Sequence, residues 1–336
     1  MAITIKDVAK ETNLAISTIS KYMNGGPVRQ KNKKVIEEAV RKLGYNPNKA
    51  ARGLRSSRTY MIGVVLDSLE SQYFGRITAR MEQVLKEKGY SIMVCCHRDS
   101  NEKAKKCVEF MVSRQVDGIL ILSLAGDAGY MDAAINNKIP IVALDRVPET
   151  ECDSVGTNAA TGAYQAVEYL VQQNHKKIAV ISGTWRENPG LRTANERLNG
   201  YYRVFEDYCL KVAPEFIVEG DFSFDSGYKC MTRLWELEEH PTAVFVTNYN
   251  MTMGAMTAIH NLKIKVPEEL SIVVFDDLEY SSISRPKLTS VRQPAQEVAD
   301  ESVKLLMRRI EGDYGDFPKC LKLPTTFHIR NSVREL

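Results

Sequence analysis

What this chain lacks narrows its function before any motif is read. No run approaches the ~20 apolar residues that a membrane span needs. The first residues, "MAITIKDVAKET", contain no apolar core long enough for a secretion signal, so a cytoplasmic protein is expected. The seven cysteines (95, 96, 107, 152, 209, 230 and 320) are odd in number, scattered and without a C-x-x-C pair. That is the pattern of reduced, mostly buried small hydrophobes. In "CCH" at 95–97, neighbours on a strand point to opposite faces and cannot converge on a metal. G-x-G-x-x-G, Walker A, H-E-x-x-H and G-x-S-x-G are all missing. Nothing therefore points to dinucleotide, nucleoside triphosphate, metalloprotease or serine hydrolase chemistry, and no cofactor, metal or catalytic residue is expected.

Acidic residues are scarce at one end only. Residues 1–60 hold 13 Lys/Arg against 4 Asp/Glu, a net of +9, whereas residues 61–336 hold 32 against 38, a net of −6. A compact basic head on a mildly acidic body points to a polyanion as the head's partner. A solvated charge run is the plainer alternative, but this head also carries a regular apolar pattern.

Thr4-Ile5-Lys6-Asp7 fits a capping box, and Ile3 and Val8 are spaced for a hydrophobic staple, so a helix starts at Ile5. It should end near Thr12-Asn13, where Asn tolerates the left-handed turn. A second helix from about Ala15 to Met23 buries Ile16 or Leu14 with Ile19 and Met23 and exposes Ser17, Thr18 and Lys21. A third runs to Leu43, with Val35, Ile36, Ala39, Val40 and Leu43 on one face and Gly44 as the stop. Two short helices joined by a tight turn make a helix-turn-helix, whose second helix can enter the DNA major groove.

From Met61 the chain alternates β-branched runs with helix-length segments: "MIGVVLD", "YSIMVCC", "VDGILILS", "IPIVALD", "KIAVISG", "EFIVEG", "TAVFVT" and "SIVVFD". This alternation predicts parallel, doubly wound sheets. In such sheets ligands bind beyond the carboxyl ends of the strands, so the residues just after each run are the candidates.

"TIKDVAKETNLAISTISKYMNG" and "VIEEAVRKLGYNPNKAARGLRSSRT", followed by "IGVVL", "PIVALDR", "GTNAATGAYQAVEYL", "HKKIAVISG", "RLNGYY", "VPEELSIVVFDD" and "PKLTSVRQPAQEVA", resemble the LacI/GalR family of bacterial transcription regulators over essentially the whole chain. The resemblance implies a helix-turn-helix DNA-binding head at residues 1–46, a hinge helix and linker at 47–60, and at 61–336 a two-lobed, periplasmic-binding-protein-like body. Lobe one would take about 61–160 and 292–323, and lobe two about 161–291 and 324–336. The three crossings would fall near 158–162, 289–292 and 322–326. Helix "TARMEQVLKEKG" and the segment after it would form the dimer face. With no leucine-heptad tail before Leu336, a homodimer is expected.

Thr4, Ile16, Ser17, Thr18, Lys21, Tyr22, Asn24 and Arg29 in the head match the family's DNA-contacting positions, as do Asn48, Lys49, Ala51, Leu54 and Arg55 in the hinge. The head departs from the family pattern at Ala15, where Ser usually caps the recognition helix, and at Lys21, where Arg is usual. The first change costs ~1 kcal/mol of helix stability and the second replaces a bidentate guanine contact by a point charge.

The hinge, about Pro47 to Arg55, is shorter than the ~12–15 residues an isolated helix needs, and Gly53 costs roughly 1 kcal/mol more. Free, it should fray. On DNA, Lys49, Arg52 and Arg55 meet phosphates instead of one another, so ordering is offset by counterion release. By resemblance, two such helices lie side by side in the minor groove, and Leu54 wedges between base pairs. A flexible linker is the alternative, though it would not need an apolar Ala50, Ala51, Leu54 stripe.

In the body, Asp276 and Arg197 match the family's ligand-binding Asp and Arg, and Tyr73, Phe74 and Phe222 match aromatic ligand contacts. Asp145, at the end of "IPIVALD", joins them. Asn248 keeps the Asn of the family's N-D-x-M, with Tyr249 replacing the Asp, and Trp185 stands where a small residue is common. Each has a plainer role to weigh: Asp276 as the cap of a loop, Arg197 as its partner in a structural bridge, and the aromatics as core. Charged donors and acceptors with aromatic faces suit a sugar or sugar-like ring, and a nucleobase would stack as well. His175 reads as a satisfied histidine before a strand.

The expected function is a dimeric regulator, most often a repressor in this family, controlled by a small metabolite. Two alternatives stand beside it. One is a relative whose main effector is a phosphocarrier protein, and the other a cytoplasmic sugar-binding protein or enzyme without DNA function.

Overall fold

The structure, a computed structural model, describes residues 3–23, 26–45, 58–124, 128–184, 192–277 and 279–336. The chain divides into two compact units, Met1–Tyr60 and Met61–Leu336.

Among the described residues the head has three helices: α1 (Ile5–Thr12), α2 (Ile16–Met23) and α3 (Gln30–Leu43). Thr4 donates to the Asp7 carboxylate from both its N–H and its hydroxyl, at 2.8 Å each, which fixes the first turn of α1. Asn13 (φ 52°) and Gly44 (φ 61°) end α1 and α3 in the left-handed conformation. Val8, Ile19, Ile36 and Ala39 form the buried core, and Leu14, Met23, Val40 and Leu43 pack around it.

Leu14, not Ile16, therefore takes the inner position at the start of α2, leaving Ile16 38% exposed. Two expectations are corrected. Val35 is 37% exposed, because the stripe through Ile36, Ala39, Val40 and Leu43 already faces the core and Val35 falls on its outer edge. Thr18 is half-buried.

In the body, all eight aliphatic runs become strands. The first sheet contains β1 (Met61–Leu66), β2 (Ser91–Cys96), β3 (Gly118–Leu122), β4 (Ile141–Leu144), β5 (Asp153–Thr157) and β11 (Cys320–Leu323), in the order β11-β5-β4-β3-β1-β2. The second contains β6 (Ile178–Ser182), β7 (Ile217–Glu219), β8 (Ala243–Val246), β9 (Ser271–Phe275), β10 (Thr289–Arg292) and β12 (Thr326–His328), in the order β12-β10-β9-β8-β6-β7. Among the described residues every strand pairing is parallel except β10 with β12. Central strands such as β3 and β6 are buried along their whole length, as parallel strands covered by helices on both faces must be.

Helices α4 (Gln72–Glu87), α5 (Asn101–Ser113), α6 (Asp132–Asn136) and α12 (Ala295–Ile310) belong to the first lobe. The second holds α7 (Ala159–Gln172), α8 (Arg192–Asp207), α9 (Phe224–Trp235) and α10 (Tyr249–Asn261), with the short α11 (Glu279–Ile283) after β9. The chain passes between the sheets after Thr157, after Arg292 and after Leu323, so residues 159, 160 and 292 lie in elements of the second lobe.

Inside the first lobe, Arg309 of α12 pairs with Asp153 of β5 at 2.7 and 3.0 Å, both side chains being fully buried. Lys319 N–H donates to the same carboxylate at 2.8 Å, which seats the approach to β11.

The cysteines are less buried than expected: Cys152 and Cys230 are buried, Cys95, Cys96 and Cys107 are half-buried, and Cys209 and Cys320 are exposed, the last on a sheet edge. His175 is buried, with Nδ1 2.9 Å from Thr242 Oγ1 and Nε2 3.1 Å from the Arg334 carbonyl. Burial holds its pKa below the ordinary histidine value.

Candidate functional site

The carboxyl ends of the strands in both lobes face a cleft of about 350 Å³. Turns after β1, β4, β7, β8, β9 and β10 supply its walls, as the open-sheet rule requires. Seven expected residues are brought together there: Tyr73, Phe74, Asp145, Arg197, Phe222, Asn248 and Asp276. The eighth, Trp185, lies outside the described residues.

Several of these turns are conformationally costly. Asp145 (φ 65°), Phe222 (φ 64°) and Asp276 (φ 77°) are non-glycine residues in the left-handed region, a pattern that gathers at ligand clamps. The Phe222 ring lies where a Cβ on Gly183 would be, so only glycine at the end of β6 leaves room for it. Asn248 Nδ2 donates to the Phe222 carbonyl at 3.3 Å and holds that turn. Helices α9 and α10 cross with backbone against backbone at Gly227 and Gly254, which draws their N-terminal ends together beside the cleft.

Asp276 is 7% exposed. Its Oδ1 accepts from Gln293 Nε2 at 2.6 Å and its Oδ2 from Tyr249 N–H at 3.2 Å. Burial pushes this carboxyl above the usual range, against the charge of Arg197 and those hydrogen bonds. Arg197 is not paired with it. Arg197 Nη1 donates to the Thr247 carbonyl at 2.5 Å, and the guanidinium lies 4.1 Å from the centre of the Phe275 ring. Its Nε is buried with no acceptor, so the structural bridge considered for this pair does not form, and one buried donor is left unsatisfied. Tyr73 is 8% exposed, and burial raises its phenol well above the ordinary value. It touches Phe74 edge-on, with ring centres 5.2 Å apart.

Sequence reasoning missed Asp67, Arg146, Asp221 and Gln293, all of which line the cleft. Burial pushes Asp67 up to about 6. Gln293 also accepts from Thr157 Oγ1 at 2.8 Å, so one amide contacts both a strand end of the first lobe and the carboxylate of the second. The rule that places sites just after strands would have found it, had the short "TSVR" read as a strand.

Asp277, next to Asp276, points elsewhere. Arg330 binds it at 2.8 and 2.9 Å. Burial pushes the Asp277 carboxyl up, but hydrogen bonds from Arg330 and Ser290 and the Arg330 charge outweigh it and hold it low. A second groove of about 760 Å³ adjoins the cleft through Tyr73, Asp276 and Gln293. Much of its charge is already matched: Arg80 to Asp300 at 2.7 and 3.0 Å, and Arg76 to Glu279.

On the head, Ile16, Ser17 and Lys21 of α2 are exposed, together with Thr4 and Arg29. Tyr22 is half-buried and its hydroxyl donates to Glu37 at 2.8 Å, which ties α2 to α3. Ala15 offers the first turn only its carbonyl, which accepts from Thr18 N–H at 2.9 Å. Gly26 N–H donates to the Lys21 carbonyl at 2.8 Å, and a Cβ there would meet the Lys21 side chain. Asn24, Asn48, Lys49, Ala51, Leu54 and Arg55 lie outside the described residues, as does the rest of the expected hinge helix.

Against known proteins, residues 4–48 match the model for bacterial regulatory proteins of the lacI family, and residues 167–333 match a periplasmic binding protein-like domain. The chain is 31% identical to the HTH-type transcriptional repressor PurR of Histophilus somni (strain 2336), with 99% of each chain covered. It is 30% identical to catabolite control protein A of Priestia megaterium, covering 99% of this chain and 100% of that one. Among solved structures, the Lac repressor dimer bound to operator and the anti-inducer ONPF superposes with a TM-score of 0.87 at 27% identity, over 99% of this chain and 100% of that one. The complex of the transcriptional regulator CelR with cellobiose gives 0.74 at 26% identity, over 98% and 99%.

Proposed function

Because the chain belongs to the lacI family of bacterial regulatory proteins, and so is a DNA-binding transcription regulator, we propose that it acts as a homodimeric repressor controlled by a small metabolite held between its lobes. The observation that carries this reading is the cleft itself. Two charged groups from the second lobe, Arg197 and Asp276, meet Asp145 and aromatic Tyr73 and Phe74 from the first, and the buried Nε of Arg197 lacks an acceptor. A ligand spanning both walls stabilises one placement of the lobes over another by its differential contacts. Residues 47–60 lead directly into β1, so the first lobe's placement reaches them along the chain.

In this reading the heads of two subunits read the operator with α2, and the paired 47–55 segments order only against the minor groove. The α4 region supplies part of the dimer face. The metabolite is a sugar or sugar-like ring, with a nucleobase as the other class that the aromatic walls would accept.

The test begins by selecting genomic fragments bound by the purified chain, then titrating the recovered operator with candidate metabolites. Asp276→Ala should abolish the metabolite response and leave operator affinity intact in one ligand state. A response that survives this change removes the cleft from the mechanism. Leu54→Ala should weaken operator binding by roughly ten-fold or more while leaving non-specific binding nearly unchanged. Equal loss on both DNAs rules out a wedge at Leu54.

A further inference from the structure

Two thiols meet at one edge of the first sheet. β2 ends the strand order of that sheet, and α5 packs against it. Side chains alternate between faces along a strand, so Met93 and Cys95 turn to one face and Cys96 to the other. Met93 and Cys95 pack on the core cluster that also takes Ala104, Val108 and Met111 of α5. Cys107 belongs to that same stripe of α5, three residues after Ala104 and four before Met111, and packs on the cluster too. The half-buried Cys95 and Cys107 thiols therefore come within hydrogen-bonding reach of each other, whereas Cys96 faces Asp67 and the backbone of Leu69. Among the described residues, no third His, Cys, Asp or Glu side chain completes a metal-binding group with the pair.

The chain between the two thiols is pinned. His97 N–H and Arg98 N–H donate to the Leu66 and Asp67 carbonyls at 2.7 and 2.9 Å, and Ser100 Oγ accepts from Lys103 N–H at 3.4 Å at the start of α5. Arg98 (φ 49°) and Asp99 (φ 52°) make the turn in the left-handed region, and both line the cleft. A bond between the two sulfurs would thus close a short ring whose middle is part of the cleft wall. Burial, with the Cys95 thiol alongside, pushes Cys107 up to about 11. Cys107 is therefore held as the thiol, and attack on an oxidant falls to Cys95.

We propose that Cys95 and Cys107 form a reversible oxidation site for hydroperoxides, closing an intramolecular disulfide behind the cleft wall. The Cys95 thiolate attacks one peroxide oxygen; an S–O bond forms as the O–O bond breaks, and the departing hydroxide or alkoxide takes up the proton that Cys95 released. Cys95 is oxidised by two electrons to a sulfenic acid, and the peroxide is reduced to water and, from an organic hydroperoxide, an alcohol. The Cys107 sulfur then attacks, an S–S bond replaces the S–O bond, and hydroxide leaves with the Cys107 proton as water. A dithiol reverses the linkage by exchange.

The test treats the full chain with hydrogen peroxide, counts free thiols and maps linked peptides by mass spectrometry. Replacing the exposed pair, Cys209→Ser and Cys320→Ser, leaves five of the seven cysteines. Free thiols should fall from those five to three, a peptide linked through Cys95 and Cys107 should appear, and dithiothreitol should restore all five. This measurement needs no change at the pair itself. In Cys107→Ala the linkage should vanish and dimedone should label Cys95. Survival of every thiol in peroxide that oxidises free glutathione, or a linkage through Cys96 or Cys152 instead, overturns the site. Loss that dithiothreitol does not reverse overturns its reversibility. Labelling of Cys107 in Cys95→Ala, with none of Cys95 in Cys107→Ala, overturns the order of the two steps.

Discussion

Among the described residues, the head closes around four buried side chains, Val8, Ile19, Ile36 and Ala39, whereas one of the body's clusters, on the first sheet, alone has 14 buried members. The head also carries 13 Lys/Arg against 4 Asp/Glu, while acidic residues prevail in the body. A unit of about 60 residues buries too little surface to be more than marginally stable, and like charge lowers that margin further. The contrast teaches that the two parts are stabilised differently. In the head, a single cap or methyl group is a large share of the total, and a polyanion neutralises what the core cannot offset. In the body, a ligand can bias the placement of the lobes without threatening either one.

The strongest attempt to break this contrast targets the body. Arg309→Met leaves Asp153 buried without its counter-charge and should cost about 3–5 kcal/mol of body stability in denaturant unfolding. Adding Asp153→Leu should restore most of it. A loss under ~1 kcal/mol would mean that water reaches the pair. Next, Ile36→Ala should cost about 2–4 kcal/mol, enough to melt the head while the body's unfolding transition and metabolite binding stay in place. Calorimetry that shows one shared transition, shifted as a whole, would erase the distinction between the units.

A smaller effect concerns pH. Asp67 titrates near 6 in the folded chain against an ordinary value of 3.8. The folded state therefore holds more protons in that window, and body stability should fall as pH rises from about 4 to 6, then level off. Asp67→Asn should remove that slope and stabilise the body by about 1–2 kcal/mol at pH 7.5, as read from urea midpoints. A slope that persists assigns it to another group. Smallest of all, Thr4→Ala should cost the head ~1 kcal/mol and leave the body's midpoint untouched.

Much of this was legible in the sequence because the physics involved is local. The eight β-branched runs are long enough to announce strands, and Thr4, Asn13 and Gly44 mark helix ends by their own chemistry. β5 ("DSVGT"), β10, β11 and β12 stayed hidden because they are three to five residues long and partly polar, and they take their structure from neighbours already in the sheet. Gln293 was hidden with them. Ile16 and Leu14 could not be told apart by spacing, since either completes the apolar stripe with Ile19. The Arg197–Asp276 pairing also needed coordinates, because oppositely charged residues beside one site read alike whether they bind each other or leave room for a third group.

The three passages of the chain between the sheets bear on how the body is made. Both sheets wait for strands drawn from residues 289–328, β10 and β12 for one and β11 for the other. During synthesis the ribosome must deliver this stretch before either lobe can be completed, while the three head helices are free to form long beforehand. Cutting the gene between the lobes would therefore yield two unfinished halves, whereas a cut near residue 60 would separate parts that each contain all of their described strands and helices.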